Sequence, residues 1–560
     1  MTASTFSQKA FGKLRNDPAW AAMAVFAFLF FAVFLLWPLS TVLHYSILDE
    51  NGVFSLDGYR RFFSEPMYRQ GLLNTIILGV SVTCTSLIVG GGLALVVSRC
   101  EFRMGAFVSL LPLITLVVPD VVVAAAWILL LGRQGILTQA FAFIGISVPS
   151  LYSWWGMVFV MTLNCYVYAF VIMLGAFKLM DRSLEEAALG LGRPMARVFS
   201  GVTIPLMIPS LLSAAIIVFT HVIGSFGIPA ILGSRIPVLA VMAYNEFVSE
   251  MGGNPQMQTT MASVLIILGI FVLLAQKFYV DKKQVQMESG RTPEKIKLHG
   301  ARRFAADAGV FFIMLLTLAP AFVVLVTAFT YSKGPVLHYG VFTLANIEHA
   351  LLRAPEPLYN SLFLASVATV AGVLFSVACA YLIVKRKCWV TNILDVVVML
   401  PLTIAGTVLG IALINTFNDG WLVLTGTWVI MSLAYFLRRV PLSTRSAIGP
   451  LHNLKDTVEE ASISLGVPSL QTFFKVVLPV MWPSVSAAAI LMWVTSLAEL
   501  SATVVLYYGG MSTMPIEIFQ QVESGRLGIA SAYSLVLLIC IFVPLALAKF
   551  VFKLKVTKED

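Results

Sequence analysis

Twelve long apolar runs constrain this chain more than any other feature of its sequence. Each run approaches or exceeds the ~20 residues that a helix needs to cross a bilayer, and is too long for a barrel strand. Apolar residues make up 59% of the 560 residues and charged residues only 12%, about half the ~25% of a soluble domain. We therefore expect an all-α polytopic membrane protein with about twelve transmembrane helices. The predicted spans are 19–45, 72–98, 106–131, 151–177, 206–232, 257–276, 308–330, 361–384, 393–416, 421–437, 481–508 and 529–548.

The basic residues predict which way these spans point, because Lys and Arg concentrate in cytoplasmic loops. With the N terminus inside, the cytoplasmic segments hold 29 of the 37 basic residues, and five of these lie in the segment 438–475. Both termini are therefore predicted to be cytoplasmic. The basic residues form short groups at the ends of the spans, next to the membrane surface. This placement indicates a lipid partner and no nucleic-acid site.

Two predicted cytoplasmic loops resemble each other over 27 residues. The first reads EEAALGLGRPMARVFSGVTIPLMIPSL from Glu185, and the second reads EEASISLGVPSLQTFFKVVLPVMWPSV from Glu459. They align at an offset of 274 without a gap, so we interpret the chain as a tandem duplication. The predicted division is a first repeat at 1–280, a cytoplasmic linker at 281–305 and a second repeat at 306–560. Six spans per repeat is an even number, which makes the two repeats parallel.

Both loops carry one pattern: Glu-Ala-Ala, three residues, Gly, nine residues, and then an apolar-x-apolar-Pro segment. Acids in the first turn and a glycine after the last turn predict a short helix in each loop. The second copy departs from the pattern only at Ser462. The candidate residues are Glu185, Glu186, Ala187, Gly192 and Pro205 in the first loop, and Glu459, Glu460, Ala461, Gly466 and Pro479 in the second.

This pattern resembles the EAA loop of binding-protein-dependent ABC importer permeases. The resemblance implies a type I permease fold in a bacterial inner membrane, in which each loop forms a coupling helix that docks on an ATPase subunit. Two loops imply two copies of that ATPase, and a soluble binding protein outside the membrane would deliver the solute. The segments AELSATVVLYYGG and PIEIFQQVESGRLGIASAYSLVLL resemble fused ferric-iron permeases and their thiamine and aminoethylphosphonate relatives.

The sequence has no GxxxxGK[ST] phosphate loop, so ATP and Mg are expected on the partner ATPase and no cofactor is expected in this chain. We find no catalytic motif and no metal-ligand cluster, and we therefore predict that the chain is not an enzyme. Three consecutive glycines at Gly90–Gly92 lie inside an apolar run, where they indicate close helix packing.

Ionisable residues at membrane depth are candidates for the translocation pathway. Asp120, His221 and Glu499 are the candidates near the middle of the predicted spans, and the 274 offset pairs Ser225 with Glu499 and His221 with Thr495. The alternative is that these side chains only bond neighbouring helices. Two acids as the central charges predict a cationic or amine-bearing solute: ferric iron first, then aminoethylphosphonate or thiamine. A secondary transporter that uses Asp120 and Glu499 as cation sites is the remaining alternative.

Overall fold

The predicted helical membrane architecture is confirmed. The computed structural model describes residues 17–551 except 50–51, 103–107, 109–110, 117, 234–235, 250–253, 276–277, 279–298 and 335. Within these residues, ten helices are long and apolar enough to cross a membrane, and a bent helix pair adds an eleventh. The helix Trp428–Asn453 has 26 residues, as long as many of these spans, but it carries three arginines. It lies where the sequence predicts the remaining one of the twelve spans.

The helices of the first half are Pro18–Phe31, Trp37–Tyr45, Asp57–Ser64, Pro66–Arg99, Asp120–Leu131, Ile136–Phe143, Trp154–Leu179, Arg182–Gly190, Met195–Val198, Ile204–Ile223, Gly227–Leu232, Leu239–Val248 and Pro255–Ala275. Those of the second half are Gly300–Ala328, Ala345–Glu348, Glu356–Lys385, Trp389–Thr403, Gly406–Phe417, Trp428–Asn453, Asp456–Ser464, Ser469–Thr472, Leu478–Leu497, Thr503–Leu506, Met514–Glu523 and Leu527–Val551. An antiparallel hairpin of Thr330–Lys333 and Val336–Phe342, which the sequence analysis did not predict, lies in a predicted outer loop.

The two halves repeat the same helices with matching bounds. Trp154–Leu179 and Trp428–Asn453 lie 274 residues apart at both ends, and so do Ile204–Ile223 and Leu478–Leu497. The earlier part of each repeat matches at a larger offset, because the connection 132–153 is twelve residues longer than 418–427. The structural repeat therefore agrees with the duplication that the loop sequences predict.

Two predicted spans are broken where the sequence analysis expected one helix. The span 106–131 is interrupted at Pro119, whose extended backbone lets a new helix begin at Asp120. The span 393–416 consists of Trp389–Thr403 and Gly406–Phe417, which meet at an angle of 107°. The two breaks are equivalent in the two repeats, because Asp120 and Gly406 are the first residues of matching helices.

Other predicted boundaries shift without changing the number of repeats. The predicted span 421–437 is wrong at both ends, because the helix runs from Trp428 to Asn453. The predicted spans 206–232 and 481–508 each end in a short separate helix, after breaks near Gly224 and Ala498. The predicted linker 281–305 lies outside the described residues up to 298, and the helix Gly300–Ala328 begins within it.

The first described helix, Pro18–Phe31, packs against the second repeat. Trp20 stacks on Tyr381 with ring centroids 4.2 Å apart, and Phe30 contacts Phe375 and Phe436 at 5.2 and 5.0 Å. The first helix of the second repeat makes the reciprocal contact, since Thr317 and Tyr166 share a hydrogen bond of 2.6 Å. The two repeats are thus bound together by an exchange of their first helices.

Only one of the three consecutive glycines serves the predicted close packing. A Cβ on Gly90 would lie 2.2 Å from the backbone oxygen of Tyr166, whereas nothing lies within 4 Å of one on Gly92. We expect Gly90→Ala to lower the free energy of unfolding by roughly 1–3 kcal/mol, because backbone cannot move aside as a side chain can. Gly92→Ala is the matched control and should be neutral or slightly stabilising. Denaturant titration in detergent micelles measures both, and equal effects would contradict the packing role.

Candidate functional site

The first loop forms the helix Arg182–Gly190, named here the first loop helix. Asp181 caps its start by accepting a hydrogen bond from the backbone N–H of Ser183 at 2.9 Å. Glu185 is buried, and its two carboxylate oxygens accept hydrogen bonds of 2.6 and 2.7 Å from Arg99, at the end of the helix Pro66–Arg99. Thr203 donates a third bond of 2.6 Å. Glu185 therefore fixes the loop helix to two long helices.

The second loop forms the matching helix Asp456–Ser464, named here the second loop helix. Glu459 is buried like Glu185. Its carboxylate accepts a hydrogen bond from the hydroxyl of Tyr381, whereas Glu185 accepts two from Arg99. Arg386 lies 3.4 Å from Glu459 and also bonds Ser469 at 2.8 Å and Asp17 at 3.2 Å. The second loop is therefore fixed to the first helix of the chain as well as to its own repeat.

Both loop helices end at the predicted glycine. Gly192 and Gly466 have φ of 78° and 85°, a left-handed conformation that favours glycine. The backbone N–H groups of Arg193 and Val467 reach back to carbonyls in the last turn of each helix, as in a Schellman ending.

The other predicted loop residues lie at the surface. Glu186, Ala187 and Pro205 are exposed in the first loop, and Glu460, Ala461 and Pro479 are exposed in the second. Large apolar side chains lie beside them, and Leu191 and Leu465 are 84% and 85% exposed. The first loop helix also exposes Leu184 and Leu189, and the second exposes their counterparts Val458 and Ile463. Each loop therefore presents an apolar face that nothing covers among the described residues.

The two loop prolines sit inside helices that continue without a break. Pro205 and Pro479 each follow a five-residue π-helical segment, Phe199–Thr203 and Phe473–Val477. A π segment shifts the backbone hydrogen bonds, so that the missing N–H of proline falls at the start of a new α segment. The loop is thereby joined directly to the spans Met195–Ile223 and Ser469–Leu497.

The predicted pathway residues lie near two arginines that the sequence analysis assigned to the cytoplasm. Arg438 and Arg439 bond the two carboxylate oxygens of Glu499 at 2.6 and 2.5 Å. Glu499 is 2% exposed, and the backbone N–H of Ala502 donates to it at 3.2 Å. We call Asp120, His221, Arg438, Arg439 and Glu499 the inner charge cluster.

The first repeat contributes its own residues to this region. Ser225 donates a hydrogen bond of 3.2 Å to Asp120. The ring of His221 lies 5.0 Å from that of Tyr168, and its Nε2 has no hydrogen-bond partner among the described residues. His221 lies within electrostatic range of the other four members of the cluster. Thr495 bonds the backbone oxygen of Leu491, within its own helix.

The expectation that acids are the central charges is therefore wrong. Arg438 and Arg439 lie in the helix Trp428–Asn453, which continues past them, and Glu499 compensates their charge. The 274-residue offset between the repeats would have predicted that these two arginines lie within a span. Applied to the span 151–177, it extends the predicted span 421–437 to residue 451 and places both arginines inside it, opposite Asn164 and Cys165.

Comparisons with known proteins agree with the duplication. The family model described as "Binding-protein-dependent transport system inner membrane component" matches residues 86–285 and again 372–555. A ferric transport system permease protein FbpB of Actinobacillus pleuropneumoniae is 26% identical over 93% of this chain and 76% of its own length. A putative FbpB of Haemophilus influenzae is 26% identical over 84% and 76%. A putative 2-aminoethylphosphonate permease PhnU of Salmonella typhi is 24% identical over 43% of this chain and 86% of its own length.

The two family matches together cover more than half of the chain, one match in each structural repeat. Each match includes one loop helix with its buried glutamate and its terminal glycine. The chain therefore belongs to the family of binding-protein-dependent transport system inner membrane components, and it is a multi-pass permease component of an ABC importer.

Proposed function

We propose that the two loop helices dock two copies of an ABC ATPase, and that the permease imports ferric iron delivered by a soluble binding protein. The observation that carries this proposal is the repetition of one surface. Both loops pair a buried glutamate with an exposed leucine, 84% and 85% exposed, across 274 residues of sequence. A monomeric protein gains nothing from exposing such residues twice, whereas a partner with two equivalent clefts would cover both.

The buried glutamates suggest how ATPase movement reaches the membrane. Glu185 binds Arg99 at the end of one long helix, and Glu459 binds Tyr381 in the equivalent helix. The π segments join each loop to a second long helix. Motion of a docked ATPase would therefore move two helices of each repeat together and change the space between the repeats. ATP and Mg would bind the partner ATPase, and this chain would catalyse no covalent step.

The distribution of the basic residues supports a cytoplasmic location for the two loop helices. Both loop helices lie in segments predicted to be cytoplasmic, where an ATPase has access to ATP. Both termini, residues 1–16 and 552–560, lie outside the described residues and are proposed to be cytoplasmic. We place the protein in a bacterial inner membrane, with the binding protein docking on the opposite side.

The proposed solute rests on the relatives, because the inner charge cluster no longer favours a bare cation. Its two acids are balanced by Arg438 and Arg439. The same balance weakens the alternative of a cation-coupled secondary transporter, since Glu499 already binds two guanidinium groups. Aminoethylphosphonate remains a second candidate because its putative permease resembles 43% of the chain, whereas the ferric permeases resemble 84% or more. Thiamine, the third solute named from the sequence, gains no support from these relatives.

Reconstitution tests the proposal directly. The chain would be co-expressed with the ATPase and binding protein encoded beside it, purified, and placed in proteoliposomes with ATP enclosed. We expect two ATPase copies per chain and uptake of radioactive ferric iron that requires both ATP and the binding protein. Uptake of aminoethylphosphonate instead would change the solute but keep the machinery. Uptake driven by a proton gradient without ATP would contradict the ATPase assignment.

A further inference from the structure

The arginines of the inner charge cluster are not needed to build the fold. The 274 offset places Asn164, Cys165 and Ser225 of the first repeat opposite Arg438, Arg439 and Glu499. Both repeats nevertheless form the same helices with the same bounds around these positions. Buried ion pairs add little to stability compared with well-packed neutral residues. The charges of the second repeat therefore call for an explanation other than folding.

The cluster also contains side-chain nitrogens that the described residues leave unpaired. The Nε of Arg439 and the Nε2 of His221 are buried and have no hydrogen-bond partner among the described residues. Each guanidinium carries five N–H donors, yet Arg438 and Arg439 each direct one short bond to Glu499. Buried polar groups in proteins almost always find a partner. The Nε–H of Arg439 is necessarily a donor, and it lacks an acceptor among the described residues.

The exposure of the side chains shows where that acceptor would enter. Arg438 and Arg439 are 19% and 21% exposed, whereas Glu499 between them is 2% exposed. At this depth a charged group faces the bundle interior or a water-filled cavity rather than lipid. The first repeat approaches beside Glu499, because a Cβ on Gly227 would lie 3.3 Å from Asp120 and 3.2 Å from Leu500. A Cβ on Gly224, three residues after His221, would lie 3.4 Å from Ala405 of the second repeat. Arg438 and Arg439 therefore keep accessible side-chain surface close to the region where the two repeats meet.

We propose that Arg438, Arg439 and His221 form a recognition site for an oxyanion group of the transported solute, and that Glu499 occupies this site when no solute is present. The guanidinium fork matches carboxylate and phosphate oxygens, and Glu499 supplies such oxygens from within the chain. The inference rests on the proposed import function and specifies its solute. Ferric iron would pass as a complex whose oxygen ligands carry negative charge, because two guanidinium groups repel the bare ion.

Binding of inorganic phosphate to the purified chain in phosphatidylcholine nanodiscs tests this site. We expect Glu499→Gln to raise phosphate affinity at least tenfold, because the internal competitor loses its charge. Arg439→Gln should lower the affinity at least tenfold from the wild-type value. Arg445→Gln is the matched control: Arg445 lies on the same helix, but its side chain is half exposed and pairs with Asp395. It should leave phosphate binding unchanged.

Unaltered phosphate binding in Arg439→Gln would overturn the proposal, and so would equal binding in wild type and a folded Glu499→Gln variant. If Glu499→Gln does not fold, Arg439→Gln decides alone, because it leaves Glu499 paired with Arg438. An equal loss in Arg445→Gln would also contradict the site, since it would indicate a general effect of charge. The measurement needs neither ATPase nor iron. Its failure would therefore leave ATP-driven import standing, and a failure of import would leave the binding result intact.

Discussion

Replacing Leu191 and Leu465 together by aspartate should abolish recovery of the ATPase with the permease and reduce solute uptake at least 100-fold. Both side chains are almost fully exposed, so the change removes no packing within this chain. Burying one leucine in a partner is worth roughly 1.5–3 kcal/mol, and about 1.4 kcal/mol is tenfold in affinity. The loss of both leucine contacts therefore lowers the affinity for the ATPase more than 100-fold. Burying an aspartate in each apolar cleft lowers it further.

The single variants and a distant control make this test specific. Leu191→Asp and Leu465→Asp alone should each weaken ATPase recovery, because each loop would hold one ATPase copy. Leu344→Asp changes an exposed leucine beside the hairpin, in a predicted outer loop, and should leave ATPase recovery unchanged. Thermal unfolding of all four proteins should be equal within error. Normal uptake by the double variant would show that these leucines are not ATPase contacts.

The second large effect is expected from Arg99→Met, which leaves the buried carboxylate of Glu185 without its cation. Removing one partner of a buried ion pair costs about 3–5 kcal/mol, because the remaining charge stays buried and uncompensated. Thr203 keeps its single hydrogen bond to Glu185 but cannot neutralise the charge. We expect this loss in the free energy of unfolding, measured by denaturant titration in micelles, together with loss of transport.

A second substitution distinguishes charge from packing. Arg99→Met combined with Glu185→Gln should recover at least half of the lost stability, because no uncompensated charge remains. Lys385 takes the equivalent place in the second repeat, but its carboxylate partner Asp456 is 72% exposed. Lys385→Met should therefore cost about 1–2 kcal/mol, since water can solvate Asp456 and the other bond lost is the one from Lys385 to the backbone oxygen of Leu454. Equal losses for Arg99→Met and Lys385→Met would contradict the assigned role of the buried glutamate.

The two repeats show how far the local pattern of the sequence predicts structure. Hydropathy and one recurring loop predicted the spans, the duplication and the two loop helices, and Gly192 and Gly466 end those helices as predicted. These features depend on contiguous segments, because capping is decided within one turn and transfer into lipid within one run of ~20 residues. The loop pattern therefore carried the family resemblance without any tertiary information.

The same sequence did not reveal which glutamate of each loop is buried. Glu185 and Glu186 are adjacent and chemically identical, yet Glu186 is exposed, whereas Glu185 is buried and bonds Arg99, a residue 86 positions earlier. Glu459 likewise meets Tyr381 and Arg386 from another helix. Helix periodicity allows several faces for so short a helix, and the choice depends on where the long helices end.

What the sequence determined by itself is the helical class of the chain and the approximate position of most of its spans, because bilayer insertion and local capping act on contiguous residues. The tertiary structure decided the exchange of the first helices, the 107° bend near Ala405 and the pairing of Glu499 with Arg438 and Arg439. A prediction from the sequence ends the span before two adjacent arginines, because an isolated charge in lipid is costly. A carboxylate 60 residues away changes that balance, and only the folded chain brings the two together.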